Sequence, residues 1–423
     1  MILKLRMDYG KDGIWLEFPE RVFMVGKLNV KSLENPEEKL MESLRHPVDS
    51  PPLHDLAVGR KRACIVISDN TRPVPNEFLL NGIIFEIEDE VERIDILIAN
   101  GIHEKLNETA IEELVGSDIA TKYRVINHDA FDMENLEFLG KTERDLPIYV
   151  NKIYLTADLK ILTGLIEPHF MAGYSGGRKS ICPGISGYET VKYFHSPMLL
   201  ESPRSDNCII EGNPVHEEAL FIAKTAGVDF IVNVTLDFEK RITGVFAGDL
   251  ERAWLEGVRF ASTYLEYPVD RQFKVVITSN GGYPLDRNYY QTVKGLVASA
   301  RLVKEGGVII ILSECRDGLG SEHFKENLAL LRKMGLDDYI THISKVENFT
   351  VDQWEVEELV KVLRKVSKIF MYSEGLNEEE FKLSFTEKID KDDILKIVEK
   401  YSDDYEDVAI MPYGPYVIPM LQN

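Results

Sequence analysis

His169, Lys179 and His195 lie within thirty residues of one another in the chain, around the turn Tyr174-Ser175-Gly176-Gly177-Arg178-Lys179-Ser180. Imidazoles exchange protons near neutral pH and bind metals through a neutral ring nitrogen. A lysine amine is a counter-ion when charged and a nucleophile once burial strips its proton. Glycine-rich turns expose backbone N–H groups that bind anions. Together these residues could hold a phosphate and a metal and move protons. The turn nearly spells a P-loop, but G-x-x-x-x-G-K-[ST] requires glycine where Arg178 stands, which argues against nucleotide hydrolysis. Phosphate binding by Ser175, Gly176 and Gly177 survives that objection.

Further polar residues follow apolar runs. Ser68-Asp69-Asn70-Thr71-Arg72-Pro73 offers a guanidinium fork for a carboxylate or phosphate, and an aspartate that can orient it. Its bland alternative is an Asp/Asn turn with a surface arginine. Asn100-Gly101-Ile102-His103 closes the next run; a lone loop histidine is more often structural. Beyond Ser279-Asn280-Gly281-Gly282, a helix carries Tyr290, Gln291 and Lys294, the last two on one face. A solvated helix face would explain them equally well. Asp352-Gln353-Trp354 is another candidate wall, although tryptophan is usually core.

The elements that must position these residues follow an α/β rhythm. Residues 1–30 read as strands around Gly10-Lys11-Asp12-Gly13, followed by a helix from Ser32 to about Arg45. Residues 63–68 are a continuous apolar run of strand length, as in a parallel sheet buried on both faces, and residues 94–99 and 159–163 look similar. Asn213-Pro214 reads as a helix start. After Tyr267-Pro268-Val269-Asp270 the rhythm resumes, with strands at 273–278, 308–312, 369–372 and 408–411 and a helix from about Asn288 to Lys304. The expected fold class is α/β, with two doubly wound domains. Residues 1–270 would form a cofactor-binding domain and 271–423 a second, its tail possibly returning to the first. The active site is expected in the cleft between them, at strand carboxyl ends.

The net charge of −22 over 423 residues opposes a nucleic-acid partner, which needs a basic stripe. No apolar run approaches the roughly 20 residues that span a bilayer, so no membrane partner is expected. The four cysteines, Cys64, Cys182, Cys208 and Cys315, form no CxxC. Reduced thiols in a cytoplasmic protein fit them.

Taken together, these motifs resemble the nickel-pincer lactate racemase family. The matching stretches are Ser68–Pro73, Gly101–His103, Glu167–Gly184 with His195, Gly281–Gly295 and Asp352–Trp354. The most specific features are the run from Pro168 to Lys179 and the sixteen-residue step from Lys179 to His195. The resemblance implies an isomerase, a 2-hydroxy-acid racemase or epimerase, with lactate the first candidate. It implies a nickel-pincer nucleotide, Ni(II) held by a pyridinium thioamide/thiocarboxylate mononucleotide, tethered at Lys179 and completed by His195 as the metal ligand. The cofactor's phosphate would sit against Thr71 and the Ser175–Gly177 turn, and Asp69 would orient Arg72 or the cofactor. His103 and His169 would be the catalytic bases of a hydride-transfer cycle. Arg72, Gln291 and Lys294 would bind the substrate, with Tyr290 and Trp354 lining the pocket. Separate cofactor-maturation proteins are implied partners. Where the family often has Thr before and Arg after the first histidine, this chain has Ile102 and Glu104, and an acid there disfavours a second carboxylate on the substrate. Other classes remain open at this point: a phosphate- or nucleotide-binding or pyridoxal-type enzyme using Lys179, or a non-catalytic nickel or cofactor carrier.

Overall fold

The computed structural model describes residues 2–422. The chain forms two compact units, one of residues 2–29, Ser196–Glu201 and 264–422, the other of Val30–His195 and Ser202–Thr263. A single cut near residue 270 does not describe this division. The amino-terminal residues join the carboxy-terminal unit because Phe23–Met24 pairs in parallel with Val408–Met411. The tail strand Ile418–Leu421 stays in that unit too, pairing with Glu266–Val269.

In the second unit a six-stranded sheet runs in the spatial order Ile242–Gly248, Phe230–Leu236, Leu159–Leu165, Arg62–Ser68, Arg93–Ala99, Arg124–Asn127. Every neighbouring pair is parallel except the first, which is antiparallel. Ala63 to Ile67 are fully buried, as the unbroken apolar run requires of a strand covered on both faces. From Arg62–Ser68 the chain winds outward to one side, then returns and winds outward to the other. Its switch point lies between Arg62–Ser68 and Leu159–Leu165, where doubly wound sheets bind ligands at the strand carboxyl ends.

The first unit holds a sheet in the order Glu387–Lys388, Lys368–Tyr372, Val303–Leu312, Phe273–Ser279, Val408–Met411, Phe23–Met24, with all neighbours parallel. The strand expected from Val308 begins at Val303. A bulge shifts its register between the Phe273↔Val303 and Val275↔Val308 pairs, so the preceding helix stops at Ala300 and not at Lys304. The first helix runs Pro36–Arg45, not from Ser32, because proline's fixed φ suits only a first helical turn. Phe230–Leu236 and Ile242–Gly248 were not anticipated as strands. Among the described residues no helix is long and apolar enough to cross a membrane.

Candidate functional site

Three adjacent strands of the second unit deliver the candidate residues from one edge: Ser68 leads to Asp69, Thr71 and Arg72, Ala99 to His103, and Leu165 to His169 and Lys179. The loops are joined by backbone bonds. Gly101 donates its N–H to the Gly184 carbonyl at 2.8 Å, and Gly184 donates to Lys179 at 3.1 Å. The His103 loop is thereby fastened to the Lys179 loop.

Asp69 is 5% exposed. One carboxylate oxygen accepts the Thr71 hydroxyl at 2.6 Å and its N–H at 3.2 Å; the other lies 2.7 Å from His103 Nδ1. Burial alone would raise the Asp69 pKa, but the His103 bond and charge, the Thr71 hydroxyl and the nearby Arg72 charge outweigh it and hold the carboxyl below its usual range. A carboxylate can only accept, so His103 Nδ1 carries a proton, and in the neutral ring the lone pair lies on Nε2. Sequence reasoning expected Asp69 to serve Arg72 or the cofactor; the structure aims it at His103 and Thr71, and Arg72 acts on it through charge alone.

The glycine-rich turn is spent differently from a phosphate nest. Ser175 donates its N–H to the Glu167 carbonyl at 2.9 Å and its hydroxyl to Leu165 at 2.6 Å. Gly177 donates its N–H to Asn233 Oδ1 at 2.8 Å. Gly176, at φ +79°, lies so close to Asn233 that a Cβ would stand 2.3 Å from its Oδ1. These groups fix the backbone that presents Lys179. Arg178 completes the clamp. It is 1% exposed, and its guanidinium donates to the carbonyls of Tyr174, Ala172 and Gly176 at 2.8, 3.0 and 3.3 Å. Its other face lies 4.0 Å from the Trp254 ring centroid, and Trp254 in turn donates to Ser175 at 2.8 Å. Desolvation lowers the arginine to about 9; carbonyl dipoles and the indole face stand in for an acidic partner. Sequence reasoning noticed Arg178 only for breaking the P-loop, and missed Asn233 and Trp254. A single amide within the otherwise buried Phe230–Leu236 was the available signal for Asn233. Replacing Arg178 with Lys removes the fork and the stack, and is expected to destabilise the fold by about 2–4 kcal/mol, read by urea unfolding.

Lys179 and His195 are half-buried near one another, the lysine Nζ lying 5.9 Å from the Phe194 ring centroid. Desolvation first, then the charges of Arg178 and Arg72, push the Lys179 ammonium down to about 7. Desolvation and then the Lys179 charge push His195 down to about 3, so its imidazole stays neutral. A neutral amine is what covalent attachment needs, and a neutral imidazole is what a metal needs. The depressed lysine has a stability consequence. Its proton is bound by the unfolded chain up to about 10.5 but by the fold only to about 7, so this group makes stability rise with pH across that window. Lys179→Met in the cofactor-free protein is therefore expected to raise Tm at pH 7 by on the order of a few °C. The gain should shrink as melts are repeated toward pH 10.

His169 lies in a tight antiparallel turn between Pro168–His169 and Gly173–Tyr174. Its Nδ1 accepts the N–H groups of Met171 and Ala172 at 3.2 and 3.3 Å.

In the first unit, Asn288 caps the helix Tyr289–Ala300 by accepting the Gln291 N–H at 3.0 Å. Lys294 donates to Gln291 Oε1 at 2.7 Å, and Trp354 donates its indole N–H to the Tyr290 hydroxyl at 3.1 Å. Gly295 lets this helix sit on the end of the strand Phe273–Ser279; a Cβ there would lie 2.8 Å from Asn280 Oδ1 and 3.0 Å from the Ser279 carbonyl. The four substrate-binding candidates thus form two bonded pairs.

Residues 9–207 match the family model of the lactate racemase N-terminal domain, and residues 269–418 that of the lactate racemase C-terminal domain. The chain belongs to the lactate racemase family, which is a family of isomerases. Lactate racemase of Thermoanaerobacterium thermosaccharolyticum is 35% identical over 98% of both chains. Lactate racemase of Lactiplantibacillus plantarum is 35% identical over 79% of both. The structure of the Thermoanaerobacterium lactate racemase apoprotein superposes with a TM-score of 0.91 at 34% identity, covering 99% of this chain and 100% of that one. A Thermotoga maritima protein shares the fold at a TM-score of 0.68 and 19% identity, covering 91% of this chain and 98% of that one. Family membership thus rests on both halves of the chain, and the two-domain α/β fold is that of the lactate racemase apoprotein.

Proposed function

We propose that this protein interconverts the enantiomers of a 2-hydroxy acid, lactate first among the candidates, using a nickel-pincer nucleotide. The observation that carries the reading is a half-buried lysine of lowered pKa, Lys179, beside a half-buried neutral imidazole, His195, in the unit that also holds His103 on Asp69. When bound, the group supplies an acceptor and donor for the hydride at C2 of the substrate. Lys179 tethers it, and His195 gives one ligand to its nickel. Among the described residues no three His, Cys, Asp or Glu side chains converge on a metal position. A metal at His195 would take its other donors from the bound group. The phosphate is assigned to Thr71 and to the Ser175–Gly177 turn, which would contribute shape, since the N–H and hydroxyl groups of Thr71 and Ser175 and the Gly177 N–H are bonded within the fold.

His103 and His169 handle the hydroxyl proton. Nε2 of His103 takes it as C2 gives up its hydride, and the resulting imidazolium faces the Asp69 carboxylate, which stabilises it. Arg72 would hold the substrate carboxylate through its fork. When the planar 2-keto acid is reduced on its other face, His169 would give the proton that re-forms the hydroxyl there. Separate maturation proteins build the cofactor and are the implied partners. The test is protein co-expressed with such a pathway, shown to carry nickel, and incubated with single enantiomers of lactate and other small 2-hydroxy acids. Loss of optical activity in at least one case is expected; retention in all of them defeats the proposal.

A further inference from the structure

Resting on the assignment of His103 and His169 as the two proton-handling groups, we infer that they are held in opposite tautomers, so that only His103 is poised as a base. Asp69 fixes the first: a carboxylate at 2.7 Å from Nδ1 demands a proton there and leaves Nε2 to accept. The backbone fixes the second. The N–H groups of Met171 and Ala172 can only donate, and both point at His169 Nδ1. An imidazole whose Nδ1 accepts carries its proton on Nε2.

The cap on His169 is built into the fold. The Met171 carbonyl is held by Asn213 Nδ2 at 2.9 Å, and the Ala172 carbonyl by buried Arg178 at 3.0 Å. Phe170 stacks on the imidazole at 5.2 Å with the rings 18° apart, fixing its plane. At the end of the turn Gly173 has φ +75°, and a Cβ there would lie 2.2 Å from the Ile209 carbonyl. Turning Nδ1 into a donor would set it against two N–H groups, and the peptide that carries the Ala172 N–H is anchored through its Met171 carbonyl by Asn213.

The two histidines are consequently unequal. His103 can take the hydroxyl proton on Nε2 directly. His169 can hydrogen-bond to the substrate oxygen through Nε2–H, but it accepts a proton there only after a proton reaches Nδ1 and the Met171 and Ala172 N–H groups move away. The enantiomer whose hydroxyl faces His103 gives up its proton in the resting fold, whereas giving a proton to the other enantiomer's oxygen, or taking one from it, at His169 Nε2 requires Nδ1 to hold a proton and so requires the turn to open first. Enantiomers have equal free energies, so kcat/KM is the same in both directions; the asymmetry can appear only in kcat and KM separately.

The test is long-range proton–nitrogen NMR on the full-length, cofactor-free protein labelled with ¹⁵N-histidine, at neutral pH. His128 is an internal reference: its Nε2 lies 2.9 Å from the Ser186 carbonyl, and its Nδ1 accepts from Asn151 at 3.0 Å. The His169 pattern should match that of His128, with Nε2 protonated, and the His103 pattern should be its inverse. His103→Gln and His169→Gln assign the signals by deleting one set each; neutron diffraction places the same protons without any variant. A proton on His169 Nδ1, an averaged mixture or an imidazolium would overturn the inference. None of these readouts needs cofactor or turnover, so racemisation with matching tautomers would sink this inference and leave the proposed function standing.

Discussion

His103→Gln is expected to lower the turnover of the cofactor-loaded protein by about 10²–10⁴-fold, the usual worth of a general acid–base group, with bound nickel and cofactor mass unchanged. His103 bonds to Asp69 and its side chain is 55% exposed, so glutamine fits without opening a core cavity. The variant keeps Lys179 and His195 and should load normally. Both kcat/KM values must fall together, because the forward and reverse reactions share every step. Equal activity of this variant and wild type would remove His103 from the mechanism, whereas loss of nickel would make it a structural residue of the cofactor site.

Lys179→Ala is expected to abolish the mass increment of the loaded protein and to lower activity by about 10²-fold or more, since a mobile group forfeits most of the benefit of fixed orientation. Desolvation first, then the charges of Arg178 and Arg72, lower the Lys179 pKa to about 7. Intact-protein mass spectrometry and nickel analysis read the result. An increment that persists in the variant would place the attachment elsewhere. Nickel bound without any increment in wild type would mean that the group is held without a covalent bond.

The α/β character was legible because it is written in local runs: residues 63–67 are apolar without interruption and residues 94–99 are broken only by Asp95, as in strands covered on both faces. Asn213-Pro214 carried its helix start equally locally, with Asn213 accepting from Val215 and His216. The grouping of residues 2–29 with the carboxy-terminal unit was not legible, because it depends on Phe23–Met24 pairing with a strand nearly 400 residues away. The same holds in the site. Gly176 and Gly177 look like a phosphate nest in sequence, yet the partner that takes the Gly177 N–H is Asn233, 56 residues on. Arg178 read as a broken motif, whereas its partners Ala172, Tyr174 and Gly176 are local and only the Trp254 face is distant. What the sequence shows is the chemical type of each residue; which groups remain available for a ligand is decided by contacts it does not display.

The central claim is that the C2 hydrogen leaves and returns as hydride. One measurement tests it most directly: racemisation of enantiopure lactate by the loaded protein in D2O, with the C2 position of the newly formed enantiomer read by NMR or mass spectrometry. Hydride transfer keeps the original hydrogen at C2, and the product should contain protium there. Deuterium at C2 would mean that the hydrogen leaves as a proton and mixes with solvent, which would contradict the account.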